Sequence, residues 1–172
     1  MRDLILHPHC RPGRITRAAA DIRPTAEGCT ARFRFEGDIA VIKIPETQEP
    51  TRTDELWKST CFEIFWQPEN GSSYREFNLS PSKRWACYEF DDYRSNMRDA
   101  PAEVAIECSR DAASLDLTCN ISSELPVPAA IGLSAIGEVE DGALQYWALD
   151  FAPGKPDFHS GVCRNIHLGD RL

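Results

Sequence analysis

The sequence lacks several features that would assign it at once to a broad class of protein. No stretch approaches the about 20 consecutive apolar residues of a membrane-spanning helix, and the opening segment MRDLILHPHCRPG has no signal-peptide apolar core. Basic residues are few, since 19 lysines and arginines stand against 27 acidic residues and give a formal charge of −8. That charge repels phosphate backbones and anionic lipid surfaces. We therefore expect no membrane or nucleic-acid partner and a cytoplasmic location.

Closely spaced cysteine pairs are also missing, although the chain contains seven cysteines. No two of them form a CxxC pair, and the separation of Cys108 from Cys119 is too long for a zinc knuckle. Most of them fall inside strand-like runs, which is typical of buried thiols in a reducing compartment. We therefore expect seven reduced cysteines and no disulfide framework.

The sequence has none of the short motifs that identify common hydrolase and nucleotide-binding sites. It contains no GxSxG, no HExxH and no phosphate-binding glycine loop. Its four histidines do not form a metal-binding box, although His7 and His9 would share one face of a strand. These absences favour a binding domain over an enzyme, with no metal and no resident cofactor.

Helical periodicity is absent, and short runs of alternating apolar and polar residues take its place. The clearest is SLDLTCNIS at 114–122, and CTARFRFEG at 29–37 alternates in the same way. Gly37 and Asp38 then separate that run from DIAVIKIP, which predicts a hairpin at this turn. About ten such runs predict a single all-β domain over residues 1–172, a two-sheet antiparallel β-sandwich of jelly-roll type with minimal helix.

Two long irregular segments, 45–58 and 152–167, interrupt this pattern of short strands and tight turns. In a sheet protein, long connections carry function more often than strands do. The second segment contains APGKPDFHSGVC, whose prolines stiffen a loop that presents Lys155 and His159. We therefore expect this loop to border a site.

Three phrases of the sequence resemble a known family. They are LWKSTCFEIFW at 56–66, YREFNLSPSKRWACYEFDDYRSNM at 74–97 and YWALDFAPGKPDFH at 146–159. In this order they resemble the bacterial DOMON-like proteins, which share a sandwich with the family-9 carbohydrate-binding modules. The resemblance implies a two-sheet antiparallel sandwich and a ligand-binding role, with a sugar or haem as the ligand.

Side-chain parity predicts a polar patch on two neighbouring strands. Glu76 and Asn78 share one face of the run 73–80, and Glu63 lies on the corresponding face of the run 59–66. A turn at Pro68–Gly71 makes these runs a hairpin, so the three side chains should lie close together. Carboxylates and an amide of this kind suit the paired hydroxyls of a sugar.

An aromatic and a basic side chain are predicted to join this patch. The short turn Pro81–Lys83 should bring Trp85 back beside it as a stacking platform, and the loop DDYRSNM supplies Arg94. Carbohydrate binding without turnover is therefore the first hypothesis. The predicted ligand-binding residues are Glu63, Glu76, Asn78, Trp85, Arg94, Lys155 and His159.

Three alternatives stay open at the level of the sequence. A b-type haem would need axial ligands, for which Met97 with His159 or Lys155 are the candidates that the resemblance offers. A glycoside hydrolase would use Glu63 and Glu76 as general acid and base. The third alternative assigns no ligand, since a half-solvated strand face carries Glu, Asn and Ser in any sheet protein. The oligomeric state and the identity of the ligand are left open.

Overall fold

The computed structural model describes residues 1–169, so the last three residues of the predicted domain, 170–172, lie outside the described residues. Regular structure in the described range is almost wholly β. The only helices there are single 3₁₀ turns at Ile39–Val41, Leu56–Lys58 and Gly161–Cys163, and none is long and apolar enough to cross a membrane. The strands of residues 1–169 are β1 (Arg2–Leu6), β2 (Ile15–Pro24), β3 (Gly28–Gly37), β4 (Cys61–Pro68), β5 (Tyr74–Leu79), β6 (Trp85–Phe90), β7 (Arg98–Asp99), β8 (Glu103–Arg110), β9 (Ser114–Ser122), β10 (Ala129–Glu138), β11 (Leu144–Ala148) and β12 (Ile166–Leu168).

These strands pair antiparallel in one strongly curled sheet, of order β7-β6-β5-β4-β10-β11-β1-β2-β3-β9-β8, with β12 beside the start of β10. Strand β1 joins the two halves. Its residues Arg2–Leu4 pair with β2, while Ile5 and Leu6 pair with Ala148 and Trp147 of β11. The all-β prediction is confirmed, but the two separate sheets of a sandwich are not, because this shared strand makes the sheet continuous.

The curl brings the inner faces of the two halves together around one hydrophobic core, which includes Phe33, Phe35 and Phe62 and which we call the main core. Phe62 of β4 lies with its ring centroid 5.1 Å from that of Phe33 and 5.0 Å from that of Phe35, both on β3. All three rings are fully buried, and each contributes on the order of 2 kcal/mol of burial free energy. The alternation in the sequence therefore predicted correctly which residues of these strands face inward.

The predicted hairpin at Gly37–Asp38 is wrong. The residues after it form the 3₁₀ turn Ile39–Val41, and β3 pairs instead with β2 and β9. Strand β2 was missed because three consecutive alanines, Ala18–Ala20, hide the alternation. All three are buried, since a methyl group fits on either face of a tightly packed strand.

All seven cysteines are unpaired thiols in the structure. Cys29, Cys61, Cys87, Cys119 and Cys163 are buried, whereas Cys10 and Cys108 are half-buried. Burial also raises the pKa of the Cys87 and Cys163 thiols to about 12, because an apolar environment disfavours the thiolate.

We expect at most two thiols to react rapidly with a soluble thiol reagent in the native protein, and all seven after denaturation. The reason is that thiolate formation and access both decide the rate. A titration with an aromatic disulfide reagent, with and without denaturant, measures both numbers. Fewer than seven reactive thiols in the denatured protein would contradict the prediction by indicating a disulfide.

Candidate functional site

The predicted polar patch lies on the outer face of β4 and β5, which is the face turned away from the main core. The β4–β5 register sets Glu63 opposite Asn78, and Glu76 is two residues away on the same face. Phe62 and Ile64 point the other way, into the main core. The structure thus brings the three polar side chains together as parity predicted, while their part in ligand binding stays a prediction.

This outer face is buried rather than half-solvated. The segment after β11, residues 149–164, folds back over it, and the Phe158 ring packs 5.9 Å from that of Tyr146. Arg164 holds the end of this segment against the sheet. Its guanidinium lies 4.4 Å from the centroid of the Tyr74 ring and donates to the backbone oxygen of His159. The polar side chains below are therefore withdrawn from bulk water.

A cavity of about 340 Å³ remains between the sheet and two covering segments, which are the loop between β6 and β7 and residues 149–164. We call it the outer-face cavity. Glu63 and Glu76 line it from the sheet, and Arg94, Met97 and His159 line it from the covering segments. Four aromatic residues also line it: Trp57, Phe90, Tyr146 and Phe158. Ionisable and aromatic groups therefore meet in one space.

The two carboxyl groups are buried with few partners. Glu63 is 3% and Glu76 is 5% exposed. Asn78 Nδ2 donates to Glu76 Oε1 at 2.8 Å, and the Ser134 hydroxyl donates to Glu63 Oε2 at a longer 3.4 Å. Burial raises the pKa of Glu76 to about 7, against which Asn78 and the positive charge of Arg94 act. Burial raises the pKa of Glu63 well above its ordinary value, and the charge of Glu76 raises it further.

His159 is held as a neutral imidazole beside Glu76. The Tyr74 oxygen accepts the backbone N–H of Arg94 and is hydrogen-bonded to His159 Nδ1 at 2.8 Å, while His159 Nε2 faces Glu76. Burial, with Arg94 nearby, lowers the pKa of His159 to about 4. The 3.5 Å contact from His159 Nε2 to Glu76 Oε2 is therefore a long polar contact rather than an ion pair at neutral pH.

Arg94 links the two segments that cover the cavity. Its Nη2 donates to Asp157 Oδ1 at 2.8 Å, and the Tyr93 hydroxyl donates to Asp157 Oδ2, also at 2.8 Å. Arg94 itself has a left-handed backbone conformation, with φ of 50°. The guanidinium is thus already paired within the protein.

Trp85, predicted as the stacking platform, lies on the opposite face of the sheet. The β5–β6 register pairs Asn78 with Ala86 and Leu79 with Trp85, so Ala86 takes the place beside the polar patch. The Trp85 ring packs against the main core, with the Arg52 guanidinium 5.0 Å from its centroid. The predicted position of Trp85 is wrong because the register differs by one residue, and a shift of one residue moves a side chain to the other face of a strand.

The remaining predicted residues differ in how close they come to the cavity. Lys155 is exposed and does not line it. Asn78 is fully buried behind Glu76, where it orients that carboxyl. Met97 lines the cavity but is 49% exposed.

The aromatic wall was missed by the sequence analysis. Phe90 and Tyr146 alternate in step with the residues of the outer face. Their positions in the sequence could have placed them beside the polar patch, had that face been known to be buried. Trp57 lies in a 3₁₀ turn at the end of the irregular segment 45–58, and Phe158 lies in the loop that was expected to border a site. No periodic pattern connects these positions, because they come from four separate segments.

A second cavity, of about 670 Å³, adjoins the first and shares Tyr146 and Pro156 with it. Residues 9–14 and 139–146 supply most of its wall. It is lined by neither Glu63 nor Glu76, so the concentration of buried ionisable groups distinguishes the outer-face cavity as the candidate site.

The residues do not fit the axial ligation of haem. His159 offers no free ring nitrogen, since Nδ1 is hydrogen-bonded to Tyr74 and Nε2 faces Glu76. Lys155 does not line the cavity, which leaves Met97 without a partner there. Within residues 1–169, no group of three or more His, Cys, Asp or Glu side chains is placed to hold a metal ion.

Comparison with known proteins bears on the fold. No protein-family model matches the chain, and no curated protein is significantly similar to it. A solved structure of a "putative carbohydrate-binding protein" from Bacteroides uniformis ATCC 8492 superposes with a TM-score of 0.58, over 86% of this chain and 75% of that one, at 11% identity. The two chains share an all-β fold. None of these comparisons supports the resemblance to DOMON-like proteins or family-9 modules.

We expect the Glu76→Gln variant to be more stable than the wild type at pH 8 and equally stable at pH 4. The folded pKa of about 7 exceeds the ordinary value of 4.5, so the folded state binds more protons than the unfolded state between those values. The wild type therefore loses stability as the pH rises through this window, on the order of 3 kcal/mol, and glutamine cannot ionise.

Denaturant unfolding at both pH values measures the difference. Glu107→Gln is the matched control, since Glu107 is exposed on β8 and its replacement should change stability equally little at pH 4 and pH 8. A gap between Glu76→Gln and the wild type that is the same at the two pH values would contradict the assigned pKa.

We expect Trp85→Ala to lower the melting temperature, with a loss of about 1–3 kcal/mol. The ring is only partly buried against the main core, so the loss should stay below the about 3–5 kcal/mol of a fully buried aromatic. Thermal unfolding followed by circular dichroism measures it. An unchanged melting temperature would contradict the packing of Trp85 against the main core and would indicate an exposed ring.

Proposed function

We propose that the protein binds a small carbohydrate in the outer-face cavity without turning it over. The observation that carries this proposal is the meeting of two buried carboxyl groups with four aromatic side chains in one cavity of about 340 Å³. Carboxyl oxygens pair with sugar hydroxyls, and aromatic faces pack against the C–H faces of the ring.

The size of the cavity limits the ligand. Its volume is near the lower end of the roughly 300–1,000 Å³ that is typical of small-molecule sites. We infer that it takes a monosaccharide, or the terminal unit of a longer chain that continues into the adjoining cavity. The name of the structural neighbour from Bacteroides uniformis, a "putative carbohydrate-binding protein", supports a sugar as the ligand class.

Glycoside hydrolysis is a second candidate function, favoured by the two buried carboxyl groups that line one cavity. A hydrolase needs one protonated and one ionised carboxyl at the same pH. Burial raises the pKa of both Glu63 and Glu76, which favours a protonated carboxyl in the pair at neutral pH. Release of nitrophenol from a panel of nitrophenyl glycosides, abolished in both Glu63→Gln and Glu76→Gln, would establish hydrolysis in place of simple binding.

We expect Tyr146→Ala to weaken sugar binding about tenfold while the protein stays folded. The ring lines the outer-face cavity and is only half-buried, so its loss removes ring packing on the sugar without emptying the main core. Calorimetric titration with a panel of neutral and amino monosaccharides measures the affinity. Trp85→Ala is the control, because Trp85 lies on the other face of the sheet and its loss should leave the affinity unchanged. Equal weakening by both variants would contradict this site.

A further inference from the structure

We propose that the sugar carries a positively charged amine, as a hexosamine does, and that the ammonium group lies against Glu63 and Glu76 in the outer-face cavity. This inference rests on the proposed function and deepens it, since it assigns the chemical class of the ligand. It starts from the charges around the two carboxyl groups.

No basic side chain among residues 1–169 forms an ion pair with Glu63, and the basic side chain nearest Glu76 is the neutral imidazole of His159, at 3.5 Å. Arg94 is the one permanent cation in the lining, and its guanidinium is already bound to Asp157 at 2.8 Å. A buried carboxylate without a partner is strongly destabilised. In the described part of the chain, the pair therefore has no cation of its own, since Asp157 already binds Arg94.

The hydrogen bonds of Glu63 leave one carboxyl oxygen without a partner in the described residues. Oε2 accepts from the Ser134 hydroxyl at 3.4 Å, and Oε1 takes part in no hydrogen bond within residues 1–169. Glu63 is only 3% exposed, and it lines the cavity. A donor inside the cavity can therefore pair with Glu63, and an ammonium group is the donor that also compensates the charge of an ionised carboxyl.

The aromatic wall favours the same ligand. Trp57, Phe90, Tyr146 and Phe158 line the cavity that the carboxyl groups enter. The faces of aromatic rings attract cations, and rings combined with carboxylates are a common means of recognising ammonium groups. A neutral hydroxyl in this position gains no such attraction.

Other ionisable groups around the pair do not replace that cation. Those that interact electrostatically with it from the adjoining strands and covering segments are Cys61, Tyr74, Cys87, Tyr88, Arg94, Tyr146 and His159. Strand β10 contributes only the Ser134 hydroxyl. Apart from the already paired Arg94, every one of these groups is neutral at pH 7.

Binding of an ammonium group must displace protons from the carboxyl pair. Burial raises the pKa of Glu76 to about 7, so this carboxyl gains its charge as the pH rises from 6 to 8. A nearby cation stabilises the ionised form. Affinity for the amine should therefore increase over this range, and protons should be released to the buffer on binding.

Calorimetric titration with matched sugars tests the inference at pH 7.5. The probes are glucosamine and glucose, galactosamine and galactose, and mannosamine and mannose, with N-acetylglucosamine as an uncharged derivative and cyclohexylammonium as an amine without hydroxyl groups. We expect the amine of at least one pair to bind at least tenfold more tightly than its neutral partner. We also expect that advantage to shrink at pH 6, with proton release detected by repeating the titration in buffers of different ionisation enthalpy.

The outcomes separate this inference from the proposed function. A neutral sugar that binds as tightly as its amine would overturn the inference and keep carbohydrate binding. Binding of cyclohexylammonium with no sugar bound would keep ammonium recognition and overturn the carbohydrate. Absence of binding by every probe would overturn both.

Two variants test the position of the ammonium group. Glu63→Gln and Glu76→Gln keep the shape of the side chains and remove their charge, so each should abolish the preference for the amine over its neutral partner. Glu107→Gln, on the exposed side of β8, should keep the preference. Full preference in both cavity variants would place the ammonium group elsewhere and contradict the inference.

Discussion

Burial of both faces of strands β4 to β6 is the constraint on which the site depends. The inner face packs in the main core, and the outer face lies beneath residues 149–164, which contribute Phe158 to a second apolar cluster. Because the outer face is buried away from bulk solvent, each polar group there is destabilised in its charged form unless it is hydrogen-bonded or paired. The raised pKa of Glu76 and the neutral state of His159 are two results of the same burial.

The covering segments remain in place because charge and ring contacts link them to the sheet. Arg94 and Tyr93 both bind Asp157, and Arg164 lies over the Tyr74 ring. These contacts bind the cations nearest the cavity, so the interactions that close the site also leave its carboxyl groups without a cation of their own. The same side chains therefore close the site and underlie the proposed ligand preference.

Strand alternation predicted which side chains share a face, and it placed Glu63, Glu76 and Asn78 together. It did not predict what covers that face, because irregular segments have no periodicity from which a path can be deduced. Trp85 shows the limit of parity, since a single residue of register decides between a core position and a site position. Strand β2 shows a second limit, since its three consecutive alanines show no difference in polarity between the two faces of the strand.

The shared strand β1 has a consequence for how the chain folds. Its pairing with β11 joins Ile5 to Ala148, more than 140 residues apart, whereas the β2–β3 and β8–β9 hairpins need only neighbouring segments. Contacts at such long separation in sequence close late and slow the search for the native state. During synthesis, local hairpins can form first, but the curl of the sheet is completed only once β11 has left the ribosome. Until then the open edges of both halves are exposed to pairing with other chains.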